Sequence, residues 1–248
     1  MLALAATVLV SAWGQGVRAA GQTILERFDD AGALSQRDPL GQQRQSGDIR
    51  LVDDPLRGTS PDAEPVYRFR AGPKRGKVGK AALILPFDTL RPGDRLEVRA
   101  QIMVPEDAPQ SLLHLMDVEC KYCGQKGNPG VRLHLRDGQL RVDRKKIGER
   151  RVWALDNATR LPAGRWVEVT WTLQLGLGGD PTLSLVRLGG QAVLRNRGRN
   201  LPDVPRPRAG VDRLQIGVTA NSNDRPAVVY LRMLHLTFTR AQRLSQSR

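Results

Sequence analysis

Val131-Arg132-Leu133-His134-Leu135-Arg136-Asp137-Gly138-Gln139-Leu140-Arg141-Val142-Asp143 carries the pattern of a β-hairpin. Apolar and polar residues alternate on both sides of Asp137-Gly138, a pair that favours a two-residue hairpin turn with both residues at positive φ. A tight turn there sets Arg136 opposite Gln139, His134 opposite Arg141 and Arg132 opposite Asp143. Leu133, Leu135, Leu140 and Val142 then fill the other face. The hairpin is half-buried, with an aliphatic side for a core and a cationic side away from it.

The same period runs along the rest of the chain. In Arg95–Val104, Leu96, Val98, Ala100, Ile102 and Val104 share one face, while Arg95, Glu97, Arg99 and Gln101 share the other. Trp166–Leu175 is a second long strand. Leu183–Leu188 and Ala192–Arg195 flank the hairpin signal Gly189-Gly190. Leu214–Ala220 and Val228–Phe238 close the pattern. The last is apolar on both faces, as a central strand is, and Thr23–Phe28 is a candidate partner for it. No segment combines a sustained 3.6-residue apolar period with caps, so helices should be few and short. Arg44–Pro65 and Leu201–Gly210 read as surface linkers and Arg240–Arg248 as a frayed basic tail. About ten strands in one domain over 20–239 predict an all-β, two-sheet antiparallel jelly-roll sandwich.

The chain has 248 residues and a formal charge of +14, with only 4% aromatic residues, so its core must be mainly aliphatic. A strong positive field favours polyanionic partners; an Arg-rich composition without any partner gives the same number. Nucleic acid is disfavoured, because the basic runs lack the interleaved aromatics on which bases stack. Residues 2–12 form an apolar run too short to span a bilayer. With Val17 and Ala19 at small-residue positions before Ala20, residues 1–19 are expected to be a signal peptide, although no basic residue precedes the run. Localisation is therefore expected to be extracytoplasmic, with no membrane span.

Cys120 and Cys123 are the only cysteines. Their spacing suits a redox pair or half of a zinc site, whereas export favours a local disulfide, which is the expectation taken here. Zinc would need two further ligands. Calcium is a weak candidate at Asn221-Ser222-Asn223-Asp224, where a turn explains the residues equally well.

Leu161-Pro162-Ala163-Gly164-Arg165-Trp166 opening a long strand, the Gly189-Gly190 hairpin, Leu214-Gln215-Ile216-Gly217-Val218 and Val229-Tyr230-Leu231 occur in an order that resembles the concanavalin A-like jelly roll, especially its polysaccharide-lyase branch of heparin-lyase and alginate-lyase type. Such lyases carry Gln-x-His on one strand and Lys-x-Gly-x-Tyr on another. The matching places here read Leu112-Leu113-His114 and Gln215-Ile216-Gly217-Val218-Thr219, so His114 and Gly217 match while Gln215 and Thr219 replace the lysine and tyrosine. Arg68-Phe69-Arg70 echoes an Arg-rich strand of that branch. The resemblance implies a sheet face that meets an acidic polysaccharide, with His114 as a base and Arg70 and Gln215 among the binding residues.

β-Elimination on a uronate needs a carboxylate clamp, a base and an acid within hydrogen-bond reach. Arg99, Arg132 or Arg213 could clamp, since arginine offers a planar fork of donors. No tyrosine is evidently placed to act as the acid. Asp117-Val118-Glu119 sets two acids on one strand face, but lacks the third acid of jelly-roll glucanases and reads as a solvated loop edge. Gly72–Lys80 carries four basic residues separated by glycines and could wrap an anionic polymer. The expectation is an exported protein that binds an acidic polysaccharide on a face holding Arg99, Gln101, His114, Arg132, His134, Arg136, Arg141 and Arg213. The alternatives are a polysaccharide lyase and a non-catalytic structural envelope protein.

Overall fold

A computed structural model describes residues 22–57, 64–123, 127–155 and 158–242. The expected signal peptide and its cleavage point lie outside the described residues. The chain opens with Thr23–Phe28 (β1), a single turn Ala31–Ser35 (α1), Gly41–Gln45 (β2), Gly47–Val52 (β3) and Val66–Ala71 (β4). Gly79–Leu90 (β5), Arg95–Met103 (β6) and Leu113–Glu119 (β7) follow. Gly130–Arg136 (β8) and Gln139–Asp143 (β9) lead into a 3-10 turn at Lys145–Ile147. Val167–Gln174 (β10), Leu183–Leu188 (β11), Gln191–Asn196 (β12), Val211–Asn221 (β13) and Ala227–Thr239 (β14) complete it.

All pairings among these strands are antiparallel, and they form two sheets. One has eight strands, in the order β12-β11-β10-β6-β14-β4-β3, with β1 also paired to β14. The other has six, in the order β2-β5-β13-β7-β8-β9. The molecule is a two-sheet jelly-roll sandwich. β14 is central, flanked by β6 on one side and by β4 and β1, each along part of its length, on the other. Closing the sandwich buries one face of each sheet. Leu96, Val98, Ala100, Val169, Trp171, Leu234 and Leu236 come from the larger sheet, and Leu83, Leu85, Met116, Leu133, Leu214 and Val218 from the smaller. Trp171 is fully buried and donates its indole N–H to Ser184 Oγ at 3.0 Å, which removes the cost of an unpaired donor.

The β8–β9 hairpin has the register its sequence dictates: Arg132 faces Asp143, His134 faces Arg141, and Arg136 faces Gln139. Asp137 and Gly138 adopt φ of 54° and 76°, as the turn requires. Two expectations fail. Arg44–Pro65 is not a linker at its start, because β2 ends at Gln45 and β3 occupies Gly47–Val52. Both strands are at sheet edges, so each is only partly buried and lacks a strong apolar alternation. Nor does the tail fray at Arg240: its backbone N–H donates to Gln22 O, and its guanidinium meets Asp94 at 3.4 Å. Residues 243–248 lie outside the described residues.

Candidate functional site

Six-stranded-sheet residues that point away from the core form a dense polar field. β13 contributes Gln215 and Thr219, β7 contributes His114, Asp117 and Glu119, β8 contributes Arg132 and His134, and β9 contributes Arg141 and Asp143. The register aligns Gln215, Asp117, Arg132 and Asp143 in one row across four strands. His114, His134 and Arg141 form a second row. Gly217 lies between Gln215 and Thr219 at φ +124°, and a Cβ there would come within 2.6 Å of Phe69. Only glycine fits this position.

The centre of the field is internally paired. Lys146, in the 3-10 turn after β9, places its Nζ 2.5 Å from Glu119 Oε1 and 3.6 Å from Asp117 Oδ2. Gln215 donates to Glu119 Oε2 at 2.6 Å, and Thr219 donates to Asp117 Oδ1 at 2.8 Å. Burial and the neighbouring Asp117 push the Glu119 pKa above the usual carboxylate value, against the pull of Lys146. Arg132 pairs with Asp143 at 2.6 Å. Burial favours the protonated Asp143, but the Lys145 backbone N–H and Arg132 outweigh it and hold the pKa below 3.8.

Beside this centre, the His114 and His134 rings stack with centroids 5.0 Å apart and planes 20° from parallel. Burial drives the His114 pKa down to about 3, and the cations Arg132 and Lys146 push the same way. His134 falls to about 4 for the same leading reason, with Asp143 opposing. Both imidazoles are therefore neutral at ordinary pH. Four buried nitrogens here, His114 Nδ1, His134 Nδ1, Arg132 Nε and Arg141 Nε, have no hydrogen-bond partner among the described residues.

The remaining sequence candidates divide. Arg136 stands exposed beside the hairpin turn, 4.0 Å from Asp137. Arg213 lies one row beyond Gln215, opposite Glu119, with Asp212 at 3.5 Å. Arg70, Arg99 and Gln101 do not join them. They belong to β4 and β6 of the eight-stranded sheet and point to its outer face, on the opposite side of the sandwich. Arg99 is tied to Glu168 at 2.6 Å, and Gln101 accepts from Arg232. Alternation within a strand sorts side chains by face, but the expected common face assumed a sheet assignment that alternation does not supply.

Two smaller expectations also change. Cys120 and Cys123 are buried free thiols, and Cys123 Sγ lies 3.7 Å from the Cys120 carbonyl. Asp212 closes this turn instead, accepting from the Lys121 and Tyr122 amides at 2.9–3.0 Å. At Asn221–Asp224 the amide side chains serve a turn: Asn221 Nδ2 donates to Gly72 O and Arg225 O, and its Oδ1 accepts from Asn223. Asp117 and Glu119 are not a loop edge but the buried middle and end of β7. Their i, i+2 spacing was the available signal. Nothing in the sequence points to Lys146 as their partner.

No protein-family model and no curated protein sequence matches the chain. Solved structures do match. An endo-β-1,4-glucuronan lyase from the fungus Trichoderma reesei has a TM-score of 0.59 at 13% identity, covering 82% of this chain and 91% of that one. The alginate lyase Aly36B has a TM-score of 0.57 at 12% identity, covering 92% and 100%. The cellulose-induced protein Cip1 has a TM-score of 0.55 at 16% identity, covering 80% and 89%. The fold is shared with jelly-roll polysaccharide lyases. At these identities the likeness speaks for architecture, and the chemistry has to come from the side chains present.

Proposed function

We propose that this protein is an exported binder of acidic polysaccharide that holds the chain on the polar face of its six-stranded sheet without cleaving it. The observation that carries this reading is the group of four unpartnered nitrogens on β7, β8 and β9. A buried polar group left unpaired costs about 1–3 kcal/mol, so a cluster of them in one place asks for a ligand. Two are arginine donors and two belong to neutral imidazoles. Ring hydroxyls and a carboxylate supply complementary acceptors and donors, and Arg136 and Arg213 add charge at the margins. The apolar run before Ala20 supports export, and the fold shared with polysaccharide lyases supports the ligand class.

The lyase alternative has one favourable feature. A neutral His114 whose buried Nδ1 has no partner among the described residues has a site for a proton. Its depressed pKa, however, makes it a weak base, and the acid is missing. The chain has three tyrosines. Tyr67 stacks on Phe69 in the core, Tyr230 belongs to the eight-stranded sheet, and Tyr122 is exposed in the turn after β7. The Thr219 hydroxyl is occupied by Asp117.

Titration of an alginate tetrasaccharide into the exported protein tests both readings. Arg141→Ala should weaken binding about tenfold, a loss near 1.4 kcal/mol. Arg99→Ala, on the other sheet, should leave binding unchanged. The parent should release no unsaturated uronate. Equal effects of the two substitutions would contradict the assigned face, and ultraviolet absorbance growing with time would establish the lyase. N-terminal sequencing of the same material should begin at Ala20.

A further inference from the structure

The basic hairpin at 73–77 joins β4 of one sheet to β5 of the other, at the end of the sandwich where His114 lies. Its position follows from a short chain of bonds. The Lys74 amide donates to Asn223 O at 2.7 Å, and Asn223 Nδ2 donates to Ser111 O at 3.0 Å. Asn221 pairs with Gly79 and Leu113, and its neighbour Ala220 pairs with His114. Ser111 in turn contacts Asp137, beside Arg136.

This hairpin is pinned rather than loose. Arg75 and Lys77 exchange both backbone hydrogen bonds, at 3.2 and 2.8 Å, around Gly76 at φ +74°. At its base Gly72 N donates to Ser46 O, and Gly72 O accepts from Asn221. Lys74, Arg75 and Lys77 are exposed, and none forms an ion pair with a carboxylate among the described residues. On the outer face of the eight-stranded sheet Arg68, Arg95 and Arg99 are each paired with an acid, and Arg70 stands exposed without one among the described residues. Uncompensated positive charge is thus held in fixed positions at the His114 end of the polar face, where it acts on a polyanion over roughly one Debye length, ~8–10 Å at ordinary salt.

We propose that Lys74, Arg75 and Lys77 form an extension site for the same acidic polysaccharide, gripping the chain beyond the sugars held at His114, His134 and Arg141. The proposal rests on the binding function above and adds that affinity grows with chain length. A rigid, charged turn suits a repeating polyanion, since each further uronate brings another carboxylate within reach and no particular sugar has to be read.

The test compares an alginate tetrasaccharide with polymeric alginate, using the parent and Lys74→Ala/Arg75→Ala/Lys77→Ala, at low and high salt. The triple variant should bind the tetrasaccharide within about twofold of the parent, but the polymer at least about fivefold more weakly at low salt, a gap that closes as salt shortens the Debye length. Unchanged polymer binding would overturn the proposal, as would an equal loss for both ligands, which would make the hairpin a prop for the central site. If anionic phospholipid vesicles bind the parent and lose the triple variant while polymer binding is unchanged, the hairpin faces a membrane surface and the proposal falls. If the parent binds neither alginate ligand, the function itself fails and takes the extension site with it.

Discussion

His114 and His134 are two imidazoles kept neutral by the fold. In the unfolded chain each would take a proton near pH 6.5; in the folded protein that waits until about 3 and 4. Between these values the unfolded state binds more protons, so stability must fall as pH drops below 6.5, by up to ~1.4 kcal/mol per pH unit for each histidine. The groups facing the pair are Arg132, Arg141, Lys146 and Asp143. Glu119, with its raised pKa, works in the opposite direction, so the informative quantity is a difference between proteins. His114→Gln/His134→Gln should lose less stability than the parent between pH 6.5 and 4.5, read from urea midpoints. Parallel loss in the two proteins would mean that the histidines already carry protons or sit in water. At this scale the sequence was partly legible. The sequence alone sets His134 beside Arg141, because a tight turn leaves one register. The stack with His114 needed the neighbouring strand, and no local pattern names it.

Among elements, the 3-10 turn Lys145–Ile147 has the largest consequence for the site, because it brings Lys146 over Asp117 and Glu119. Removing one partner of a buried ion pair leaves uncompensated charge and costs about 3–5 kcal/mol. Lys146 is partly exposed, so Lys146→Ala should cost less, about 2 kcal/mol at pH 7. Without the ammonium, burial and Asp117 raise the folded pKa of Glu119 further above its unfolded value. The proton it then holds stabilises the fold at low pH and is lost as pH rises. The cost of Lys146→Ala should therefore shrink from pH 7 to pH 5, and a pH-independent cost would contradict the ion pair. Long strands with one buried face, such as β6 and β10, were readable from alternation alone. β2 and β3 were not, since edge strands bury too little to impose a pattern on Gln42, Gln43 and Arg44. Asp117-x-Glu119 was visible as a spacing, but its meaning depended on whether β7 lies inside the sheet or at its rim.

Across the whole molecule, the two polar sheet faces have different characters. On the eight-stranded sheet the outward Arg68, Arg95 and Arg99 are paired with acids. Unpartnered buried nitrogens cluster on the six-stranded sheet at His114, His134, Arg132 and Arg141, and the 73–77 hairpin sets cations without an acid partner among the described residues at one end. Net charge in the sequence is compatible with a polyanionic partner and says nothing of where one would sit. The assumed grouping of Arg99 and Gln101 with His114 shows why: strand period assigns a side to each residue, and only the order of strands in space decides which sides coincide. If the polar face of the six-stranded sheet is the binding face, polymeric alginate should change backbone hydrogen exchange on that sheet. Binding should slow exchange in β7, β8 and β9 and in the 73–77 hairpin, while β3, β4, β11 and β12 stay as they were. Protection confined to the eight-stranded sheet, or no protection at low salt with saturating polymer, would contradict it.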